Sequence, residues 1–152
     1  MKREIQLALK DIIDGLEWNV GEPLFESVVV NYRDEDDEEK PESEKPDSGC
    51  IISLQTGNFS ERALRKGLDE VTGTGFLAML WKQTCNDFID KYETGPEMIV
   101  EAILQDRTLG GKVKDIYPLS INWNLYRTEG IGVFMMAELQ FRLKTRFYIN
   151  RE

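Results

Sequence analysis

The chain has no histidine. That removes Ser-His and Cys-His nucleophile pairs and all imidazole metal ligands. Cysteine is scarce as well, with Cys50 and Cys85 the only two among 152 residues. Two isolated thiols make no zinc site. Their spacing permits a disulfide, but such a pair fits a reducing compartment better. No apolar run approaches the roughly 18 residues of a membrane-spanning helix, so no membrane partner is expected. Glu4, Gln6, Lys10 and Asp11 interrupt the apolar positions near the start, so no secretory signal is expected. There is no internal repeat, and no G-K-[ST] follows a glycine-rich stretch. Thr72-Gly73-Thr74-Gly75 contains a G-x-G, but the dinucleotide fingerprint around it is missing, and it reads as a turn between elements. Positive charge is also in short supply. Lys and Arg total 19 against 28 Asp and Glu, a net charge of −9, which argues against a broad nucleic-acid face and sequence-specific nucleic-acid binding.

What remains is an ordinary globular composition, 41% hydrophobic, in a length suited to one domain spanning 1–152. The acidic excess is concentrated. Arg33 to Asp47 carries nine acids against three bases, or −6 of the total. The stretch DEDDEEKPESEKPDS has no aliphatic or aromatic residue, so burial cannot offset its ordering entropy. It reads as a disordered acidic insertion, residues 33–48, between two strands. Asp34, Glu35, Asp36, Asp37, Glu38 and Glu39 are its densest part; they lack the central Gly and terminal Glu of a calcium loop. No metal or other cofactor is expected.

The strongest pattern is at the C-terminal end. From Gly130 to Asn150 the odd positions run Ile, Val, Met, Ala, Leu, Phe, Leu, Thr, Phe, Ile, and the later even positions are mostly polar. This period-two alternation predicts a β-strand with one buried and one wet face. Strands average about 5–6 residues, so this one is exceptional. Val113 to Leu125 predicts its partner, with Val113, Asp115, Tyr117, Leu119, Ile121, Trp123 and Leu125 on one face. Pro118 cannot donate to a ladder and marks an edge or a bulge. Arg127-Thr128-Glu129-Gly130 supplies the turn, completing a long hairpin.

Upstream, Ile5, Ala8, Leu9, Ile12, Ile13 and Leu16 predict an amphipathic helix over residues 2–16. Phe25–Tyr32, with Val28-Val29-Val30, reads as a buried strand, and Cys50–Leu54 as a short one. Glu61–Val71 has weak helical character, and Phe76–Trp81 fits a strand or a buried helix. Pro96 suits a first helical position and Glu97 the positive end of the dipole, predicting a helix from Pro96 to Gln105, with an extension back to Asn86 through a kink left open. The expected class is α+β: a mostly antiparallel sheet of four to five strands, with the long C-terminal hairpin, packed against two helices. The odd positions from Val133 to Phe147 are expected to pack on both helices.

The segment Ala102–Tyr117, AILQDRTLGGKVKDIY, with the hairpin after it, resembles the C-terminal part of bacteriophage tail terminator proteins, a family also described as minor tail or tail completion proteins. The shared features are a helix, a D-x-T-L-G-G-like link (here Asp106, Leu109, Gly110 and Gly111) and a terminal hairpin of apolar alternation. They cover about a third of the chain. The resemblance implies a structural virion protein and not an enzyme. Made in the bacterial host cytoplasm, such a protein forms a hexameric ring that caps the tail tube and joins it to the head. Its partners would be further copies of itself, the tail tube protein and a head-completion protein. Arg142, Lys144 and Arg146 form a basic stripe on the last strand, a candidate subunit interface; it, or the strand's edge, is expected to meet acids of a neighbouring copy. Gly110 and Gly111 are expected in conformations that disfavour a β-carbon.

Two other readings stand beside this one. Within the same class is a head–tail connector or other small tail protein. From another class is a cytosolic adaptor that binds a protein through residues 34–39. An enzyme using carboxylates is set aside, because no convergent site can be assembled from the sequence.

Overall fold

The structure is a computed structural model that describes residues 2–30, 46–55, 70–128 and 132–146. It opens with helix α1 (Lys2–Asp14). Ile5, Leu9 and Ile13 fall one turn apart and are buried, while Lys10 and Asp14 pair on the outer face. Strands β1 (Glu17–Asn19) and β2 (Glu22–Pro23) form a small antiparallel ribbon. Its turn passes through Gly21 at φ 81°.

The main sheet follows. It is built from β3 (Ser27–Val30), β4 (Ser48–Gln55), β5 (Glu70–Lys82), β6 (Asp115–Thr128) and β7 (Gly132–Arg146), with helix α2 (Phe88–Gln105) between β5 and β6. The order across the sheet is β3-β4-β5-β7-β6. Only β3 and β4 run parallel; every other neighbouring pair is antiparallel. The architecture is therefore α+β, with a mostly antiparallel five-stranded sheet and two helices among the described residues.

Both helices lie on one face. α1 covers β3 and β4, and α2 covers β5, β6 and β7. The alternation along each strand sorts side chains accordingly. Cys50, Ile52, Leu77, Met79, Trp81, Ala137, Leu139, Phe141 and Leu143 are buried on the helix face. The intervening Ile51, Ala78, Leu80 and Gln140 are half-buried and Glu138 is exposed. From Ala137 to Leu143 the odd positions of β7 thus face the core as the alternation predicts, while Val133 and Met135 are half-buried and Phe147 lies outside the described residues. Their main helical cover is α2 alone, not both helices, because β4 and β5 stand between β7 and β3.

Several expectations need correction. Thr72-Gly73-Thr74-Gly75 is not a turn; it lies inside β5. Pro96 is not a first helical residue but sits inside α2, which begins at Phe88 after Asp87 in a left-handed conformation. Two contacts explain how the helix runs through Gly95 and Pro96. Gly95 leaves room for Trp81, whose Cζ2 would lie 2.9 Å from a β-carbon there. Pro96 offers no N–H to the carbonyl of Tyr92, four residues earlier. Trp123 Nε1 donates to that oxygen instead, at 3.0 Å.

On β6 the register shifts between Pro118 and Ser120. The bulge reverses which parity faces inward. Before it, Ile116 is buried and Asp115 and Tyr117 are on the open face; after it, Ile121 faces the core. A single parity from Val113 to Leu125 was therefore right only for the second half of the strand. Arg127 and Thr128 belong to β6 and not to the turn, while 129–131 lie outside the described residues.

The acidic insertion falls mostly outside the described residues, at 33–45, but its final part is placed. Ser48 begins β4, is buried, and its Oγ accepts the Glu26 N–H at 2.8 Å. Asp47 O accepts the Lys82 N–H at 2.8 Å. The insertion as drawn, through 48, was thus too long at that end. The weak helix over 61–71 lies outside the described residues except for Glu70 and Val71, which belong to β5.

Candidate functional site

The helix-to-hairpin link is built by local hydrogen bonds. Asp106 ends α2, its N–H bonding Ile103 O at 3.1 Å. Its Oδ1 then accepts the Gly110 N–H at 3.1 Å, and its carbonyl accepts the Leu109 N–H at 3.0 Å. Gly111 N–H reaches Thr108 O at 3.0 Å. Leu109, Gly110 and Gly111 take φ of 50°, 67° and 90° in succession. Glycine adopts such angles freely; Leu109 does not, and its buried side chain holds it there. The expectation for the two glycines holds at both positions.

The link also lies along β6. Arg107 O accepts the Ile116 N–H at 2.9 Å. Its guanidinium grips Asp115 through Nε at 2.9 Å and Nη2 at 2.8 Å, a two-pronged carboxylate contact. The sequence signalled the glycines but not this clasp, since Arg107 and Asp115 meet only because the chain doubles back.

The basic stripe is divided by its surroundings. Arg142 is exposed on the open face, opposite Thr74 on one side and Tyr117 on the other. Lys144 is half-buried, opposite Thr72 and Asp115. Position 146 pairs with position 70, and the Arg146 side chain lies outside the described residues. Of the two alternatives for a subunit contact, the stripe or the strand's edge, the edge is closed: β7 is an interior strand, paired on both sides. Among the described strands the outer ones are β6 and β3.

A second cluster was missed by sequence reasoning. Lys91, in the first turn of α2, is buried. Its Nζ donates to Glu22 Oε1 at 2.8 Å and to Cys85 Sγ at 3.5 Å. Burial alone would lower the lysine's pKa, but the Glu22 carboxylate and Cys85 reverse that and raise it. The Lys91 hydrogen bond, helped by Asn19, holds the Glu22 carboxyl below its ordinary value. Burial pushes the Cys85 thiol up, and Lys91 opposes that rise. The cluster ties the β1–β2 ribbon to α2. No sequence signal marks it, because the three residues come from separate elements. Asp34 to Glu39 lie outside the described residues. Among the described residues no group of three or more Cys, Asp or Glu is placed to hold a metal ion. No helix among them is long and apolar enough to cross a membrane.

No protein-family model matches the chain, and no curated protein matches it.

Proposed function

We propose that this chain is a structural protein of a bacteriophage tail, a terminator whose copies close into a ring that caps the tail tube and joins it to the head. The observation that carries the reading is the geometry between α2 and β6. A D-x-T-L-G-G link with both glycines left-handed leads into a hairpin of 14- and 15-residue strands. That is the arrangement the resemblance implies for this third of the chain. The two outer strands of the sheet add support, since a closed ring is one way to pair open edges.

On this reading the ring is a hexamer in the virion. Its partners are the tail tube protein and a head-completion protein, and it needs no cofactor. Exposed Arg142 and half-buried Lys144 present positive charge on the open face, available to acids of a neighbour. Negative-stain electron microscopy of the purified protein, with sedimentation at matched concentration, tests the proposal. Rings of about six copies are expected. A monodisperse monomer at micromolar concentration would overturn the reading and favour an adaptor.

A further inference from the structure

We infer that the second half of β6, residues 120–128, is where a neighbouring copy adds its own outer strand β3, extending the main sheet from one copy to the next. This inference rests on the ring proposed above and assigns its subunit junction.

The two halves of β6 are treated differently by the fold. The first half is protected. Arg107 O already takes the outward Ile116 N–H at 2.9 Å, Pro118 has no N–H to offer, and the bulge breaks the ladder between Pro118 and Ser120. Carbonyl cover, proline and a bulge are each devices that blunt a strand edge. Among the described residues none of them occurs from Ser120 to Thr128. That stretch reads SINWNLYRT, with Arg127 its only charge and no acid.

The hydrogen-bond pattern identifies the free groups. Lys144 O accepts the Lys114 N–H and Val133 O accepts the Gln83 N–H, so even positions of β7 turn their backbone toward β6 and odd positions toward β5. With Ile121 opposite Leu139 and Arg127 opposite Val133, the backbone groups of Ile121, Trp123, Leu125 and Arg127 point away from β7. Four residues' donors and acceptors thus line one side. Beside them the Trp123 indole is pinned by its bond to Tyr92 O and remains 42% exposed. A strand added here would find both a ladder and an apolar contact.

The occupant follows from the other side of the sheet. β3 is the opposite outer strand, paired only to β4 among the described strands, and its four residues Ser-Val-Val-Val are uncharged and mostly β-branched. A β6-to-β3 junction uses one edge of each kind per copy and leaves neither of these two open once the ring closes. Pairing β6 with β6 would leave every β3 edge unused. Charge points the same way. In the sequence, the stretch that follows β3, Arg33 to Asp47, totals −6 and Ser120 to Thr128 totals +1, so the junction joins segments of opposite net charge.

Cysteine cross-linking of the full chain tests this. Asn124 and Val29 both lie on the open face, so Asn124→Cys and Val29→Cys are introduced in separately tagged chains. The parent, with Cys50 and Cys85, is the control. Mixing the two variants under mild oxidation is expected to give a cross-linked heterodimer above the level of either alone. Both changes in one chain should give a ladder ending at the ring. Leu125→Pro removes one outward N–H without touching the β6–β7 ladder. It should weaken assembly about tenfold or more with the far-ultraviolet spectrum unchanged. A homodimer from Asn124→Cys alone would overturn the inference in favour of β6 meeting β6. Rings that form normally, without heterodimer and with Leu125→Pro silent, would overturn it while leaving the proposed function standing. Absence of any assembly would overturn both. Should Leu125→Pro misfold, the cross-linking result decides alone.

Discussion

Trp123 does for Pro96 what Pro96 cannot do for the helix. The proline gives no N–H to Tyr92 O, and the indole of Trp123, from β6, donates to that carbonyl at 3.0 Å. An interior proline ordinarily costs a helix about 3 kcal/mol or more, through the lost bond and the ring clash. Here part of that cost is offset by a bond from the neighbouring sheet.

The two residues should therefore be coupled. Trp123→Phe keeps a ring but loses the donor, and is expected to destabilise the fold by about 0.5–1.5 kcal/mol. With Pro96→Ala in place the helix satisfies Tyr92 itself, so Trp123→Phe should then cost measurably less. Urea unfolding of the four proteins gives the cycle. Additive effects would mean that the indole bond is incidental to the helix.

Phe141 lies across Gly75. A β-carbon on this glycine would stand 2.8 Å from Phe141 Cε2 and 2.8 Å from Leu54 Cδ2. Both neighbours are buried, so neither can swing aside. Gly75→Ala is expected to cost about 1–3 kcal/mol by overpacking. Adding Phe141→Leu should recover part of that loss, read by the same unfolding curves. A neutral Gly75→Ala would show that the sheet can open there.

The Glu22–Lys91 pair sets a pH window. The Glu22 pKa is lowered in the fold, so its contribution is present above the ordinary carboxylate value of about 4.3 and is lost as pH falls through the folded value. The Lys91 pKa is raised, so its contribution is present below the ordinary value of about 10.4 and is lost as pH rises past the folded one. Glu22→Gln leaves a buried ammonium short of its carboxylate and should lower the melting temperature at pH 7 more than at pH 3. Lys91→Met, which removes the buried charge as well, should cost less than Glu22→Gln. A melting curve at each pH checks the order.

The two thiols should react in sequence. Cys50 has no exposed surface, and burial pushes its pKa to about 12. Cys85 is also shifted upward, but it is only half-buried. One equivalent of maleimide is expected on the folded protein at pH 8, mapping to Cys85 by mass spectrometry, with the second taken up only in denaturant. Rapid labelling of Cys50 in the folded protein would mean that β4 opens readily.

Alternation along β7 told which residues face the core, because a strand's period is a local property. It could not tell that β7 lies between β5 and β6, since neighbours in a sheet are chosen by the whole chain. That is why the alternation assigns Arg142 to the open face but leaves open whether the strand's edge is free. Pro118 announced the irregularity in β6 but not its consequence, the reversal that buries Ile116 and leaves Tyr117 on the open face. Thr94-Gly95-Pro96 read as an interruption because the residues that allow the helix to continue, Trp81 and Trp123, are distant in sequence. Lys91 gave no signal at all. A lone lysine in a helical turn is ordinary until Glu22 arrives from the ribbon.

The sheet order also bears on how the chain acquires its shape. β5 pairs with β4 on one side and with β7 on the other, and β7 is made some fifty residues after β5 ends, between Gly132 and Arg146. During vectorial synthesis the nascent chain reaches α2 with one flank of its central strand still bare. That open edge is paired only when the final hairpin inserts. Such non-local closure is slow, and the half-built sheet is adhesive while it waits. Shortening the hairpin would therefore remove an interior strand of the sheet rather than trim its margin, and a prematurely terminated chain should be recovered in aggregates or with a chaperone.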